Sequence, residues 1–346
     1  MTGAAAANAC AAGLAARLAG GPVAFSVAEV VRRRGAARDI EVCGLDALRS
    51  CRLGDDVERS AAIEERLQIA TASRPPFAGL TIDRPRLMGV VNVTPDSFSD
   101  GGRYASRDAA IAHGRSLMAA GADILDIGGE STRPGATPVS VGEELDRVVP
   151  VVAALANEGA LVSIDTRRAI VMRAALAAGA RIVNDVTALA GDPEGLAAVA
   201  ESGAAVVLMH MQGVPATMNL APRYGDVALD VFDYLEARIA ACTAAGIAPE
   251  RLILDPGIGF GKRDPHTLAI LADLALYHAL GCALLLGVSR KSFIGRLSRG
   301  EDAAHRLGGS LAAAIAGIDR GVQIVRVHDV AETAQAISIW QAIATT

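Results

Sequence analysis

From Arg86 onward, short runs of apolar, often β-branched residues alternate with longer stretches in which apolar residues recur every three or four positions. The first pattern predicts buried parallel strands and the second predicts helices covering them. The strand runs are LMGVVNV (87–93), ILDIGG (124–129), LVSIDT (161–166), IVNDV (182–186), AVVLMHM (205–211), LILDPG (252–257), ALLLGVS (283–289) and IVRVHD (324–329). Helical stretches such as RDAAIAHGRSLMAAG and GEELDRVVPVVAALANEG lie between them, and AETAQAISIWQAI follows the last strand. Gly121, Gly159, Gly179, Gly203, Gly246, Gly281 and Gly321 stand where a left-handed residue would end a helix.

Eight strand–helix repeats are the count for a (β/α)8 TIM barrel. The alternative is a doubly wound open sheet, whose first glycine-rich turn would read GxGxxG. Here the first strand runs into NVTPDSFSDGG, so the expected fold class is α/β, a (β/α)8 barrel over residues 79–346. Residues 1–78 form a separate small α/β extension of unknown role. Its segments AFSVAEVVRRR, DIEVCGLDALRSC and VERSAAIEERLQIATA suit two short strands and a helix or two, with SRPPFAG as linker. The alanine-rich start has no charged n-region and reads as a poor signal peptide.

Composition narrows the function. Hydrophobic residues are 51% and charged residues 21%, enough apolar content for a large core. No run suits a membrane span. With 33 basic and 38 acidic residues the net charge is −5, which argues against a general nucleic-acid binder. Only two of the basic residues are lysines, Lys262 and Lys291, and both follow polar or glycine-rich strand ends. The five cysteines contain no CxxC pair, so a zinc site or disulfide framework is not expected and a reducing compartment fits.

A barrel places its chemistry at the C-terminal ends of its strands. Those ends carry Asn92, Asp126, Asp165, Asn184 with Asp185, His210, Asp255, Ser289 with Arg290 and Lys291, and Arg326 with His328. Arg326 and His328 are two apart and share a face, expected to be the mouth, which leaves Val325 and Val327 facing helices. One such residue could merely cap a helix; a polar ring at almost every strand end points to a ligand site.

The strings LMGVVNVTPDSFSDGGRY (87–104) and GADILDIGGESTRPGA (121–136) resemble the two signatures of the dihydropteroate synthase family. SIDT, IVNDV, LMHMQG, LDPGIGFGK, GVSRKSFIG and RVHDV follow in that family's order, so the resemblance covers residues 79–346. It implies condensation of 6-hydroxymethyl-7,8-dihydropterin diphosphate with 4-aminobenzoate, giving 7,8-dihydropteroate and pyrophosphate, with Mg2+. It also implies a cytoplasmic homodimer, a target of sulfonamides, that binds small molecules and neither nucleic acid nor membrane.

The residues suit that chemistry. A reduced pterin presents N–H donors beside a carbonyl, which carboxylates and an amide can match. The resemblance assigns the pterin to Asp165, Asn184, Met209, Asp255, Phe260 and Lys291. It assigns pyrophosphate to Asn92, Thr132, Arg133, Arg326 and His328, with Asn92 as the oxygen ligand of magnesium. It assigns 4-aminobenzoate to Phe98, Pro134 and Ser292, the last opening a helix whose N-terminus favours an anion. Asp165, Lys291 and Asp100 are the expected catalytic residues. No protein nucleophile is required, because the electron-rich pterin can stabilise a carbocation after early departure of the diphosphate. A pterin-dependent methyltransferase module should lack the DSFSDGG and SRKS loops, and a non-catalytic paralogue should have lost Asp165, Lys291, Arg326 or His328. Neither departure occurs.

Overall fold

The computed structural model describes residues 1–35, 37–49, 57–93, 102–130, 139–214, 217–218 and 220–345. The chain opens with helix α1 (Gly3–Ala11) and a short antiparallel pair, β1 (Ala16–Arg17) with β2 (Ala24–Phe25). A hairpin of β3 (Val27–Arg34) and β4 (Ala37–Gly44) follows, then α2 (Leu45–Arg49) and α3 (Val57–Thr71). The hairpin and these two helices match the sequence reading. The alanine-rich start is a helix, which carries no periodic apolar face to announce it.

Eight parallel strands then close on themselves in chain order: β5 (Arg86–Asn92), β6 (Ile124–Gly128), β7 (Val162–Asp165), β8 (Ile182–Asp185), β9 (Ala205–Met209), β10 (Leu252–Asp255), β11 (Ala283–Leu286) and β12 (Ile324–Val327). β12 pairs with β5, which seals the barrel. Most ladders stop short of the apolar runs in the sequence. His210, Ser289 and His328 therefore sit beyond the strands, in the loops of the mouth.

The covering helices are α4 (Gly102–Ala119), α5 (Val141–Asn157), α6 (Ala169–Ala177), α7 (Gly195–Ser202), α8 (Val227–Ala244), α9 (Asp264–Ala272), α10 (Ser292–Leu297), α11 (Leu307–Ile318) and α12 (Val330–Thr345). Two start on side-chain caps: Ser140 accepts from the amide of Glu143, and Asp226 from those of Ala228 and Leu229. All seven glycines expected at helix ends have positive φ. In the small-residue helix α11, a Cβ on Gly309 would lie 2.2 Å from Ile294, and one on Gly317 2.4 Å from Leu286. Those glycines serve packing within the chain.

One apolar layer lies between strands and helices and includes Leu125, Ile127, Val148, Val152, Val325 and Val327. A second fills the barrel base with Met88, Ile124, Ile182, Val207, Ile253, Leu285 and Ile324. Phe77 and Ile82 plug this layer from below, and Phe77 is 1% exposed. Phe77, just before the boundary expected after residue 78, thus packs into the barrel base. The SRPPFAG segment carries a side chain of the barrel core, because an open barrel end needs an apolar stopper.

Candidate functional site

Above the base layer the inward positions turn polar. Asp126 comes from β6, Asp165 from β7, Asn184 from β8, Asp255 from β10 and Arg326 from β12. Gly128 stands beside Asp165 in register, and Asp165 beside Asn184. Arg326 joins the group: its Nε donates to Asp126 Oδ2 at 2.6 Å and its Nη2 to Asp165 Oδ2 at 2.8 Å. Asn184 Nδ2 donates to the same Asp126 oxygen at 3.0 Å. Asp126 is fully buried, and its Oδ1 has no partner among the described residues.

Two carboxylates share one guanidinium here, and the electrostatics follow. Burial pushes the Asp165 carboxyl up to about 7, against the pull of Arg326 and with a further push from Asp126. Burial draws Arg326 down, but Asp126 and Asp165 outweigh it and hold the guanidinium above its ordinary value. Asp255 is also raised by burial, although its Oδ1 accepts the Gly257 amide at 2.7 Å and Lys291, Lys262 and Arg326 oppose the shift.

The loop after β10 forms a second wall. A Cβ on Gly257 would lie 1.9 Å from the His210 carbonyl oxygen, so only glycine lets this loop lie against the chain leaving β9. Both lysines fasten it. Lys262 Nζ meets His210 Nδ1 at 2.8 Å, the His210 carbonyl at 3.2 Å and the Phe260 carbonyl at 3.0 Å. Three polar neighbours surround this Nζ, and burial pulls its pKa well down. Burial and Lys262 also drive His210 to about 3, so its ring is neutral. Lys291 Nζ donates to the Ile258 carbonyl at 2.8 Å and sits 4.3 Å above the Phe260 ring.

At the rim, half-buried Asn92 ends β5. His328 is held by Ser289, whose Oγ accepts the His328 amide at 3.2 Å and lies 3.0 Å from its Nδ1. Exposed Ser292 is the first residue of α10, as expected, with Lys291 as its N-cap. Phe98, Asp100, Thr132, Arg133 and Pro134 lie outside the described residues.

Residues 88–328 match the model of the pterin binding enzyme family. The chain is 54% identical over 269 residues to the dihydropteroate synthase of Neisseria meningitidis serogroup B, covering 76% of this chain and 94% of that protein. Against the dihydropteroate synthase of Escherichia coli K12 the identity is 49% over 264 residues, with 76% and 93% covered. A Xanthomonas albilineans dihydropteroate synthase with 4-aminobenzoic acid superposes with a TM-score of 0.74 at 50% identity, covering 78% of this chain and 97% of that one. The same organism's enzyme in complex with 7,8-dihydropteroate gives 0.71 at 47% identity, covering 77% and 96%.

The chain belongs to the dihydropteroate synthase family. It is an enzyme, a transferase of folate biosynthesis.

The structure brings Asp165, Asn184, Met209, Asp255, Phe260, Lys291 and Arg326 to one end of the barrel, with Asn92, His328 and Ser292 around the rim. It also gives weight to residues that sequence reasoning left without a role. Asp126 is the hub of the buried network, and Lys262 with His210 locks the Phe260 loop. The advance signals for Lys262 were the scarcity of lysine and its place at the end of LDPGIGFGK. Asp185, by contrast, points to structure: its oxygens accept the amides of Thr187 and Leu189 and the Thr187 hydroxyl, tying the turn after β8.

Proposed function

We propose that this enzyme joins 6-hydroxymethyl-7,8-dihydropterin diphosphate to 4-aminobenzoate through the residues of the barrel mouth. The observation that carries the assignment is the buried set Asp126, Asn184 and Asp255, rich in acceptors, with one Asp126 oxygen unpartnered among the described residues. A flat edge of pterin N–H donors satisfies such acceptors, and each charge-assisted bond contributes about 1.5–3 kcal/mol. Met209 and Phe260 wall the ring, and Lys291 donates to its carbonyl side.

The bond that breaks joins the exocyclic CH2 to the diphosphate oxygen. The electron pair leaves with pyrophosphate, and the dihydropterin delocalises the positive charge. Asp165 stabilises that charge when ionised. The amine of 4-aminobenzoate then attacks the carbon and loses a proton. His328, oriented by Ser289, and Arg326 receive the diphosphate, with Thr132 and Arg133 completing that site. Ser292 takes the benzoate carboxylate through its hydroxyl, and the family resemblance adds Phe98 and Pro134 to the 4-aminobenzoate site and Asp100 to the catalytic residues.

Among the described residues no group of three or more His, Cys, Asp or Glu side chains could hold a metal ion. The neutral side-chain oxygen of Asn92 suits a hard cation and would hold a magnesium ion. When bound, that ion offsets charge on the leaving group. A homodimer and a cytoplasmic location complete the proposal. Exposed Ile339 and Ile343 on α12 offer apolar surface, and Cys10, Cys43, Cys242 and Cys282 are free thiols. No helix among the described residues is long and apolar enough to cross a membrane.

The test supplies both substrates to the purified chain and follows dihydropteroate by mass and pyrophosphate by a coupled assay. Turnover should stop on chelation and return with Mg2+, and sulfonamides should compete with 4-aminobenzoate. Folded protein that makes no product from fresh reduced pterin would overturn the reading, and full turnover in chelator would remove the metal from it.

A further inference from the structure

A chain of hydrogen bonds runs from the N-terminal hairpin to the Phe260 loop, and the scheme above does not use it. On β4, Arg38 donates from Nε and Nη2 to the two oxygens of Asp226, at 2.6 and 3.0 Å, and from Nη1 to Asp273 at 2.7 Å. On β3, Arg33 donates to Asp230 and Asp233, both at 2.8 Å. Asp226 is the N-cap of α8 and Asp230 lies in its first turn, so the hairpin grips the mouth end of that helix. The other Asp230 oxygen accepts the Gly225 amide at 2.8 Å. The preceding residue, Tyr224, donates its hydroxyl to the Gly261 carbonyl at 2.7 Å.

Gly261 lies between Phe260 and Lys262, and the loop has no slack there. Its φ is +62°, and a Cβ would fall 2.5 Å from the Gln212 carbonyl oxygen. Gln212 in turn ties the backbone N–H and C=O of Arg223 with two bonds of 2.7 Å. Tyr224 also packs against the rings of His210 and His266, at 6.0 and 5.0 Å between centroids. Without the arginines, Asp226, Asp230, Asp233 and Asp273 would crowd like charges beneath this strap. Two arginine forks convert that repulsion into a fixed position.

We propose that Tyr224 is a positioning residue for Phe260 and Lys262, and that the N-terminal extension acts on the site by fixing Tyr224 through Arg38–Asp226 and Arg33–Asp230. The inference rests on the reading above that Phe260 walls the pterin. It gives the extension a part in the reaction although the scheme assigns none of its described residues to the chemistry.

The test uses the full chain and the variants Tyr224→Phe, Arg38→Met, their double variant and Arg66→Met. Arg66 pairs with Glu236, farther along α8 from the strap, and serves as control. Tyr224→Phe and Arg38→Met should each raise the KM for the pterin diphosphate about three- to tenfold and leave that for 4-aminobenzoate within about twofold. The double variant should be no worse than the worse single one, because both act along one chain of contacts. Arg66→Met should change neither constant. Hydrogen exchange at the amides of residues 257–263 reads the same coupling without substrate. It should quicken in Tyr224→Phe and Arg38→Met and stay unchanged in Arg66→Met. An unchanged pterin KM, equal effects on both substrates, additive losses or unaltered exchange would overturn the proposal. A wild-type chain that makes no dihydropteroate would instead overturn the assigned function, with the exchange result still deciding whether Tyr224 positions the loop.

Discussion

Asp126 and Arg326 meet at 2.6 Å inside the barrel, although their strands, β6 and β12, are separated by β5. The arginine also reaches Asp165, so one cation organises two carboxylates, and Asn184 bonds the first of them. The pair is conditional on its surroundings. Breaking a buried ion pair by removing one partner costs about 3–5 kcal/mol, because the other charge stays behind.

Asp126→Asn keeps the shape of the side chain and removes its charge. Loss of one charge-assisted bond predicts a fall of roughly ten- to a hundredfold in kcat/KM for the pterin diphosphate. Steady-state kinetics check this, alongside urea unfolding to confirm the fold. Activity within about threefold of wild type would show that the hub is structural only.

The raised carboxyl of Asp165 makes a pH prediction. In the folded state it holds its proton up to about 7, whereas the unfolded chain releases it near the ordinary 3.8. This group's contribution to stability therefore falls as pH rises through that window and is level above it. Asp165→Asn stays neutral, so its stability relative to wild type should climb between those two values. Urea midpoints at several pH values measure the difference, and a flat difference would contradict the shift. If the ionised form stabilises the carbocation, kcat/KM of the wild type should rise with pH through the same region.

Asp255 has one oxygen committed to the Gly257 amide. Asp255→Ala should therefore loosen the Phe260 loop as well as remove an acceptor, and pterin affinity should fall by at least about tenfold. Titration calorimetry with a pterin ligand provides the measurement. An affinity within about a factor of three of wild type would move the pterin elsewhere.

Phe77 tests how much the segment before residue 79 adds to the barrel core. Phe77→Ala should destabilise the chain by about 3–5 kcal/mol, with both Michaelis constants little changed. A chain starting at Ser73 should likewise melt higher than one starting at Gly79, which lacks Phe77. Equal melting temperatures would return Phe77 to the linker.

Local pattern was enough for the barrel. Apolar runs of strand length, helical periodicity between them and glycines at the helix ends all report short-range physics, and the closed eight-stranded sheet satisfies them together. The inward direction of Arg326 also followed from alternation along a strand, and the polar ring at the mouth from the residues at the strand ends. What no local pattern contains is which of those groups touch. The pairing of Arg326 with Asp126 depends on barrel closure and strand register. The Lys262–His210 contact depends on two loops meeting at Gly257, and the burial of Phe77 on an open barrel end that only the assembled sheet creates. The extension shows the same limit. Nothing along the chain joins Arg38 to Asp226 or Arg33 to Asp230; the hairpin lying against α8 does so. Contacts of this kind join residues nearly two hundred positions apart, and the closed barrel is what brings them within hydrogen-bond reach.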